Sequence, residues 1–397
     1  MNFDIYHNRE KEGSVKWHLM REKKPTVGDD IIPMTVADMD FETDQAIKDG
    51  LCKYINETIL GYTLATDEYL DTIVDYYEKN FKTTIKKEHI VTSAGIVPAI
   101  FSCLRAFTNE NDGIMIFTPV YPQFSNAIKQ TNRTLVACPL VYEDNQYFID
   151  FELFEQLAKK EENKLLIFCN PHNPSGRIWT KEELARLDDI CKANDIIVLS
   201  DEIHSDLMLY GNEHNPYFCI SDHSCRNSVL MSAASKSFNI AGLKCANLVI
   251  KDPNLRDKYQ AQMASQGIMG ANMIGMKATE LAYKYSRPWL KEVIKTIEHN
   301  FGLLKEFFGN YGDLFALYDS QATYLAWVNY RKFAEKVGIT SEEIYDFLED
   351  YDIFVHHGIN FGEEGEYFMR INIGMPPHKC SEFLERFKKG LKERYDI

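Results

Sequence analysis

Short apolar runs alternate with amphipathic stretches through the middle of the chain. Each run is rich in β-branched or aromatic residues and is flanked by turn-forming residues, which is typical of buried strands. The stretches between them have helical spacing, and the one at 180–193 begins with a capping box of Thr180 and Glu183. Strands that alternate with helices predict an α/β domain with a mostly parallel sheet. The strands are predicted at 113–118, 134–138, 164–169, 196–200, 228–232 and 246–250.

The pattern changes near Arg287, where a long helical stretch leads into a region of mixed strand and helix patterns. Before about residue 45 no regular pattern is present, so that segment is predicted to be irregular. In the C-terminal region we predict helices at 288–308, 341–350 and 379–394 and strands at 323–328 and 368–372. The predicted parts are an N-terminal segment 1–45 that packs on both domains, a large domain 46–286, and a smaller α+β domain 287–397.

Composition narrows the classes of partner and the compartment. The chain has 397 residues, enough for two domains, and a formal net charge of −15. Such an acidic surface disfavours nucleic acid and anionic membranes as partners. The polar N-terminus predicts no signal peptide, and no apolar run is long enough to span a bilayer. The nine cysteines are scattered singly, which indicates reduced thiols and a cytoplasmic protein.

Four segments follow predicted strands or open a helix, at the edge where open α/β sheets bind ligands. They contain Gly95, Asn173, Asp201 and Lys236. Each has an ordinary explanation as well: a helix start, a turn, an N-cap and a surface charge. Lys236, however, is flanked by small and apolar residues, and burial would lower its pKa and free the amine for Schiff-base chemistry. The backbone N–H groups after Gly95 suit a phosphate.

The order and spacing of these segments resemble the fold-type I enzymes that depend on pyridoxal 5′-phosphate (PLP), and within them the MalY/PatB-type cystathionine β-lyases. The resemblance covers nearly the whole chain. It implies a large domain with a mostly parallel seven-stranded sheet between helices and a smaller α+β domain. The other segments that carry the resemblance are 16–18, 36–41, 61–62, 361–365 and 370–372.

The resemblance implies a role for each candidate residue around the cofactor ring. Lys236 would form the Schiff base and move the Cα proton of the substrate. Asp201 would pair with the pyridine nitrogen, and Asn173 would donate to the phenolic oxygen. Tyr121 would stack on the ring. His204, three residues after Asp201, would also belong to the cofactor site.

The phosphate and the substrate have their own implied residues. The phosphate would lie against Gly95, Ile96, Val97, Ser235 and Lys244. Tyr62 would reach it from a neighbouring subunit, which makes the homodimer necessary for the site. Arg370 would bind the α-carboxylate of an amino-acid substrate through its planar fork, and Ala37 would lie beside that substrate.

The reaction is open to three interpretations. Many aminotransferases of this fold have Tyr where this chain has His204, and many have Arg at the position of Lys244. Both differences favour a C–S β-lyase, although Lys also occurs there in some aminotransferases. Ala233 replaces a frequent phosphate-binding Ser and is left unassigned. We predict cleavage of L-cystathionine or a related S-substituted cysteine to a thiol, pyruvate and ammonia.

The alternatives are a class I/II aminotransferase and a regulatory protein that keeps the fold and acts through a protein partner. The pattern does not rank the sulfur amino acids as substrates. No metal site is predicted, because His356 and His357 are adjacent on a strand pattern and would point to opposite faces.

Overall fold

The structure is a computed structural model that describes residues 3–397. Its strands are β1 (Ile90–Ser93), β2 (Gly113–Thr118), β3 (Thr134–Pro139), β4 (Val141–Glu143), β5 (Gln146–Phe148), β6 (Asn163–Cys169), β7 (Ile197–Asp201), β8 (Ser228–Ser232), β9 (Ala246–Val249), β10 (Ala316–Leu317), β11 (Leu325–Asn329), β12 (His356–His357) and β13 (Phe368–Asn372).

A seven-stranded sheet forms the centre of the larger part of the chain. Its strand order is β1-β9-β8-β7-β6-β2-β3, and only β9 runs antiparallel to its neighbours. Both faces of the sheet pack against buried apolar clusters, as expected for parallel strands covered by helices. The prediction of a mostly parallel seven-stranded sheet is therefore confirmed. The first strand, β1, was not among the predicted runs.

Helices cover this sheet and continue into the C-terminal part. They are α1 (Val15–Lys23), α2 (Gln45–Glu57), α3 (Asp67–Phe81), α4 (Ile96–Phe107), α5 (Pro122–Gln130), α6 (Phe151–Ala158), α7 (Lys181–Ala193), α8 (Asp222–Arg226), α9 (Ala234–Ser237), α10 (Pro253–Ser265), α11 (Met273–Tyr285), α12 (Arg287–Gly309), α13 (Arg331–Val337), α14 (Glu343–Asp350) and α15 (Pro377–Tyr395). The predicted capping box opens α7, with reciprocal bonds between Thr180 and Glu183 of 3.2 and 2.9 Å. Within residues 3–397, no helix has both the length and the apolar character needed to cross a bilayer.

The C-terminal part has a sheet of its own, with the order β10-β11-β13-β12 and antiparallel pairing throughout. The long helix α12 and the last helix α15 pack together in the same apolar cluster as this sheet. Strand β11 begins two residues later than predicted. Thr323 has a φ of +73°, so extended pairing begins only after it. The domain boundaries at residues 45 and 286 stay predictions.

The N-terminal segment is not irregular throughout, and the prediction was wrong for α1. This helix buries Trp17 and Met20 against Phe354. Its third buried position is Lys16, and a lysine on the inner face interrupts the apolar spacing by which a helix is normally predicted.

Lys16 is the centre of a buried ion cluster. Its Nζ lies 2.6 Å from Asp40 Oδ2 and 3.2 Å from Asp38 Oδ1. Arg9 Nη1 contacts the other oxygen of Asp38 at 2.9 Å. The side chains of Lys16 and Asp40 are almost fully inaccessible to solvent. The cluster therefore ties α1 to residues 38–40. The charges of Lys16 and Asp40 depend on each other because water cannot reach them.

We expect Lys16→Met to destabilise the protein strongly, because it leaves the Asp40 carboxylate buried without its partner. Loss of one partner from such a pair costs about 3–5 kcal/mol. The free energy of unfolding, from chemical denaturation, checks this. Lys48→Met is the matched control, since Lys48 pairs with Glu42 at 3.7 Å on the surface, and it should change stability by less than about 0.5 kcal/mol. Equal effects of the two substitutions would contradict the prediction.

Candidate active site

The carboxyl ends of β6, β7 and β8 meet at one edge of the large sheet. Cys169 and Asp201 are the last residues of β6 and β7. Asn173 lies in the loop after β6, and Lys236 lies in the short helix α9 that follows β8. Together with β13 of the small sheet they enclose a cavity of about 700 Å³. The large sheet therefore brings side chains from separate parts of the chain to a single cavity, as open α/β sheets do.

Most of the predicted site residues line this cavity. They are Ala37, Gly95, Ile96, Val97, Tyr121, Asn173, Asp201, His204, Ser235, Lys236 and Arg370. Lys244 is exposed, has a left-handed backbone conformation, and does not line the cavity. Tyr62 does not line it either, and its side chain is 99% exposed.

Lys236 lies in the short helix α9, with its amine at the cavity wall. Its Nζ donates to the carbonyl oxygen of Ala37 at 2.6 Å. The pKa of Lys236 is lowered to about 8, chiefly by loss of solvation. The charge of Arg370 also lowers this pKa, while the carboxylates of Asp38 and Asp201 partly offset the shift. A larger fraction of this amine is thus neutral, and able to act as a nucleophile or base, than in an ordinary lysine.

Asp201 is buried at the end of β7. Its Oδ1 accepts from the backbone N–H of Ile203 at 3.1 Å, and it has no ion pair with a basic side chain within residues 3–397. Burial raises the pKa of Asp201 to about 7. A buried carboxyl group without a cationic partner fits a ligand that brings a positively charged N–H group.

Backbone N–H groups line another side of the cavity. Helix α4 starts at Ile96, directly after Gly95, which has a φ of +136°. The N–H groups of Ile96 and Val97, in the first turn, have no acceptor within the helix. They can hold an anionic group such as a phosphate. Ser235 adds a hydroxyl to the same cavity.

Arg370 is the buried cation of the site. Its Nη2 donates to the carbonyl oxygen of Thr35 at 2.6 Å and lies 3.4 Å from His356 Nδ1, while Nη1 donates to Asn173 Oδ1 at 3.2 Å. Its Nε has no partner within the described chain. Burial lowers the pKa of Arg370 to about 10, so the guanidinium stays charged at neutral pH and can receive a carboxylate.

His204 and Tyr121 complete the walls. Burial lowers the pKa of His204 to about 3, with further contributions from the charges of Lys236 and Arg370, so its imidazole is neutral. Its Nδ1 is buried and has no partner within residues 3–397. Tyr121 precedes α5, and burial raises the pKa of its hydroxyl.

The structure adds residues that the sequence pattern did not indicate. Asn360 and His356 line the cavity, and the hydroxyl of Tyr324 donates to the carbonyl oxygen of Ala37 at 2.9 Å. Thr35 contributes a backbone carbonyl, which leaves no signal in residue type. For His356 the alternation of a strand was a usable signal, because its neighbour His357 points away and stacks on Tyr345 at a ring distance of 3.4 Å.

These features together fit PLP and an amino acid. Lys236 offers an amine, Asp201 a buried carboxyl group, the start of α4 a cradle for phosphate, and Arg370 a site for a carboxylate. Within residues 3–397, no three His, Cys, Asp or Glu side chains are grouped so as to hold a metal ion.

Comparisons with known proteins agree with this geometry. Residues 29–387 match the family model of class I and II aminotransferases. The chain is 35% identical to cystathionine beta-lyase PatB of Bacillus subtilis (strain 168), over 98% of this chain and 100% of that protein. It is 28% identical to the protein MalY of Escherichia coli (strain K12), over 92% and 93% of the two chains. The crystal structure of cystalysin from Treponema denticola, which contains PLP, superposes with a TM-score of 0.96 at 37% identity and covers 99% of both chains.

We predict that Lys236 of the cofactor-free protein reacts with formaldehyde and cyanoborohydride at a lower pH than other lysines. Reductive methylation needs the neutral amine, which forms as the pH rises through the pKa. The rate at Lys236 should therefore rise around pH 8, whereas ordinary lysines respond near about pH 10.4. Peptide mass spectrometry measures each lysine in one sample, so the exposed lysines are the control. A midpoint for Lys236 near that of the exposed lysines would refute the prediction.

Proposed function

Because the chain belongs to the aminotransferase class I and II family, and within it to the MalY/PatB-type cystathionine β-lyases, we propose that it is a PLP-dependent C–S β-lyase. It cleaves L-cystathionine or a related S-substituted cysteine and, with uptake of one water, yields a thiol, pyruvate and ammonia. The observation that carries the proposal is the cavity that joins Lys236, Asp201 and Arg370 in a chain related to PatB over its whole length.

PLP, when bound, supplies an electron sink for the negative charge that develops at the substrate Cα. Lys236 Nζ would hold the cofactor covalently between turnovers. With substrate bound, Lys236 Nζ would remove the proton from Cα, and its lowered pKa of about 8 suits a general base. Asp201 would accept the N–H of the pyridine ring and keep that nitrogen protonated, Asn173 would donate to the phenolic oxygen, and Tyr121 would lie against the ring.

The remaining groups would bind the cofactor phosphate and the substrate α-carboxylate. The phosphate would be held by Gly95, Ile96 and Val97 with Ser235. Lys244, which does not line the cavity, would add a positive charge. At the other end, Arg370 binds the substrate α-carboxylate bidentately, beside Ala37. The contact of Arg370 with the Thr35 carbonyl sets the direction of its guanidinium.

A lyase differs from an aminotransferase in whether the C–S bond at Cβ breaks after the Cα proton is removed. In a lyase, removal of the Cα proton by Lys236 would be followed by cleavage of the C–S bond at Cβ, and the sulfur would leave with the electron pair of that bond. In a transamination the C–S bond would stay intact. Lys236 is the basic group at the cavity that can also protonate the departing sulfur. His204 is neutral and replaces the tyrosine of many aminotransferases.

We propose a homodimer in which Tyr62 reaches the phosphate of the neighbouring subunit. Ile59, Leu60, Tyr62 and Leu64 form an exposed apolar segment, with Ile59 90% and Tyr62 99% accessible. Several large apolar side chains exposed within one short segment are typical of a protein interface. The compartment in this proposal is the cytoplasm, because all nine cysteines are free thiols in the structure.

The test supplies purified protein with PLP and L-cystathionine, without any 2-oxo acid. We expect equal amounts of free thiol and pyruvate, and loss of both by at least about 10³-fold in Lys236→Ala. Borohydride should attach PLP to Lys236 in the wild type and not in the variant, as mass spectrometry can show. Turnover that requires an added 2-oxo acid would instead identify an aminotransferase, and wild-type activity in Lys236→Ala would exclude the role of Lys236.

Mixed dimers test the contribution of Tyr62. We expect Lys236→Ala and Tyr62→Ala proteins to be poorly active alone, and their mixture after subunit exchange to recover about a quarter of wild-type activity. One site of each mixed dimer then combines an intact Lys236 with an intact Tyr62 of the partner subunit. If Tyr62 served its own subunit, no mixed dimer would contain an intact site and the mixture would not recover.

A further inference from the structure

A second cavity of about 310 Å³ adjoins the active-site cavity. His356 and Asn360 line both. His356 Nδ1 lies 3.4 Å from Arg370 Nη2, so the second cavity begins one side chain away from the proposed site of the α-carboxylate. Thr35, whose carbonyl holds Arg370, also lines it.

The second cavity has an apolar part and a charged part. Leu19, Met20 and Phe354 form the apolar wall. At the charged part, Lys23 of α1 forms an ion pair with Glu349 of α14, and its Nζ lies 3.5 Å from His357 Nε2. Glu22 also lines the cavity. The side chains of Lys23 and Glu349 are 46% and 24% exposed, so water reaches the pair and a ligand can replace either partner at little cost.

We propose that this cavity binds the distal half of the substrate, and that the enzyme selects S-substituted cysteines whose leaving thiol carries a second amino-acid group. This inference rests on the proposed lyase function. The distal arm of L-cystathionine has two methylene groups and then a carbon with a carboxylate and an ammonium group. The methylenes match the apolar wall, Lys23 binds the carboxylate and Glu349 binds the ammonium group.

The arrangement predicts which substrates benefit from the cavity. A small leaving group such as methanethiol has no distal arm, so it cannot contact Lys23 or Glu349. The distal contacts therefore add to the binding of cystathionine and not to that of S-methyl-L-cysteine. Because they lie away from Cα and Cβ, they act on KM rather than on kcat.

Four substrates and two variants test the assignment. S-(3-carboxypropyl)-L-cysteine keeps the distal carboxylate and lacks the ammonium group, and S-(3-aminopropyl)-L-cysteine does the reverse. We expect Lys23→Met to raise KM about fivefold for cystathionine and the carboxypropyl compound, relative to S-methyl-L-cysteine. Glu349→Gln should raise it by a similar factor for cystathionine and the aminopropyl compound.

Arg21→Met is the matched control for loss of a positive charge in the last turn of α1. Arg21 pairs with Glu10 at 2.8 Å and with Asp29 at 2.7 Å and does not line the second cavity, so this variant should not change the order of the four substrates. Thermal unfolding of each variant monitors folding separately.

The outcomes distinguish failure of the distal site from failure of the proposed lyase function. Equal changes of KM for all four substrates, or no change in either variant, would overturn the distal site while thiol release leaves the lyase function intact. A wild-type protein that releases no thiol from any of the four would overturn both.

Discussion

The backbone of residues 35–41 is the constraint on which the rest of the site depends. Its carbonyl groups accept from Arg370 at Thr35 and from Lys236 and Tyr324 at Ala37. Asn372 Nδ2 donates to the carbonyls of Val36 and Asp38, both at 2.7 Å. The amine proposed to perform the chemistry and the guanidinium proposed to bind substrate thus contact the same segment. If that segment moved, Lys236 and Arg370 would both lose the hydrogen bonds that set their relative positions.

Burial explains the electrostatics of the site more than direct pairing does. Desolvation is the largest cause of the shifted pKa at Lys236, Asp201, His204 and Arg370. Desolvation makes the Lys236 amine bind its proton more weakly and the Asp201 carboxyl group bind its proton more strongly. It also keeps the His204 imidazole neutral. Each change leaves a polar group whose solvation is incomplete. A bound cofactor and substrate would supply the missing partners, so these preorganised groups favour binding.

The sequence predicted the large sheet and the loops at its carboxyl edge because both depend on local pattern. Short apolar runs predict the strands. Asp201 comes immediately after one predicted run, and Asn173 and Lys236 come a few residues after two others. Helix α1 was not predicted, because the buried Lys16 interrupts the apolar spacing on its inner face. Contacts through backbone carbonyls, such as that of Thr35, and pairings between distant segments, such as His356 with Arg370, have no signature in residue type. They become visible only when β12 and β13 pair in the structure.

The two sheets divide the work of the enzyme. Strand ends of the large sheet present the groups proposed to hold PLP and move the proton. The small sheet contributes Arg370 and His356, and α1 and α14 close the second cavity beside them. Substitutions at the second cavity can therefore change which sulfur amino acid is bound without touching Lys236 or Asp201. A chain organised in this way can keep one reaction while its substrate range varies, because the contacts that choose the substrate lie on different elements from those that transform it.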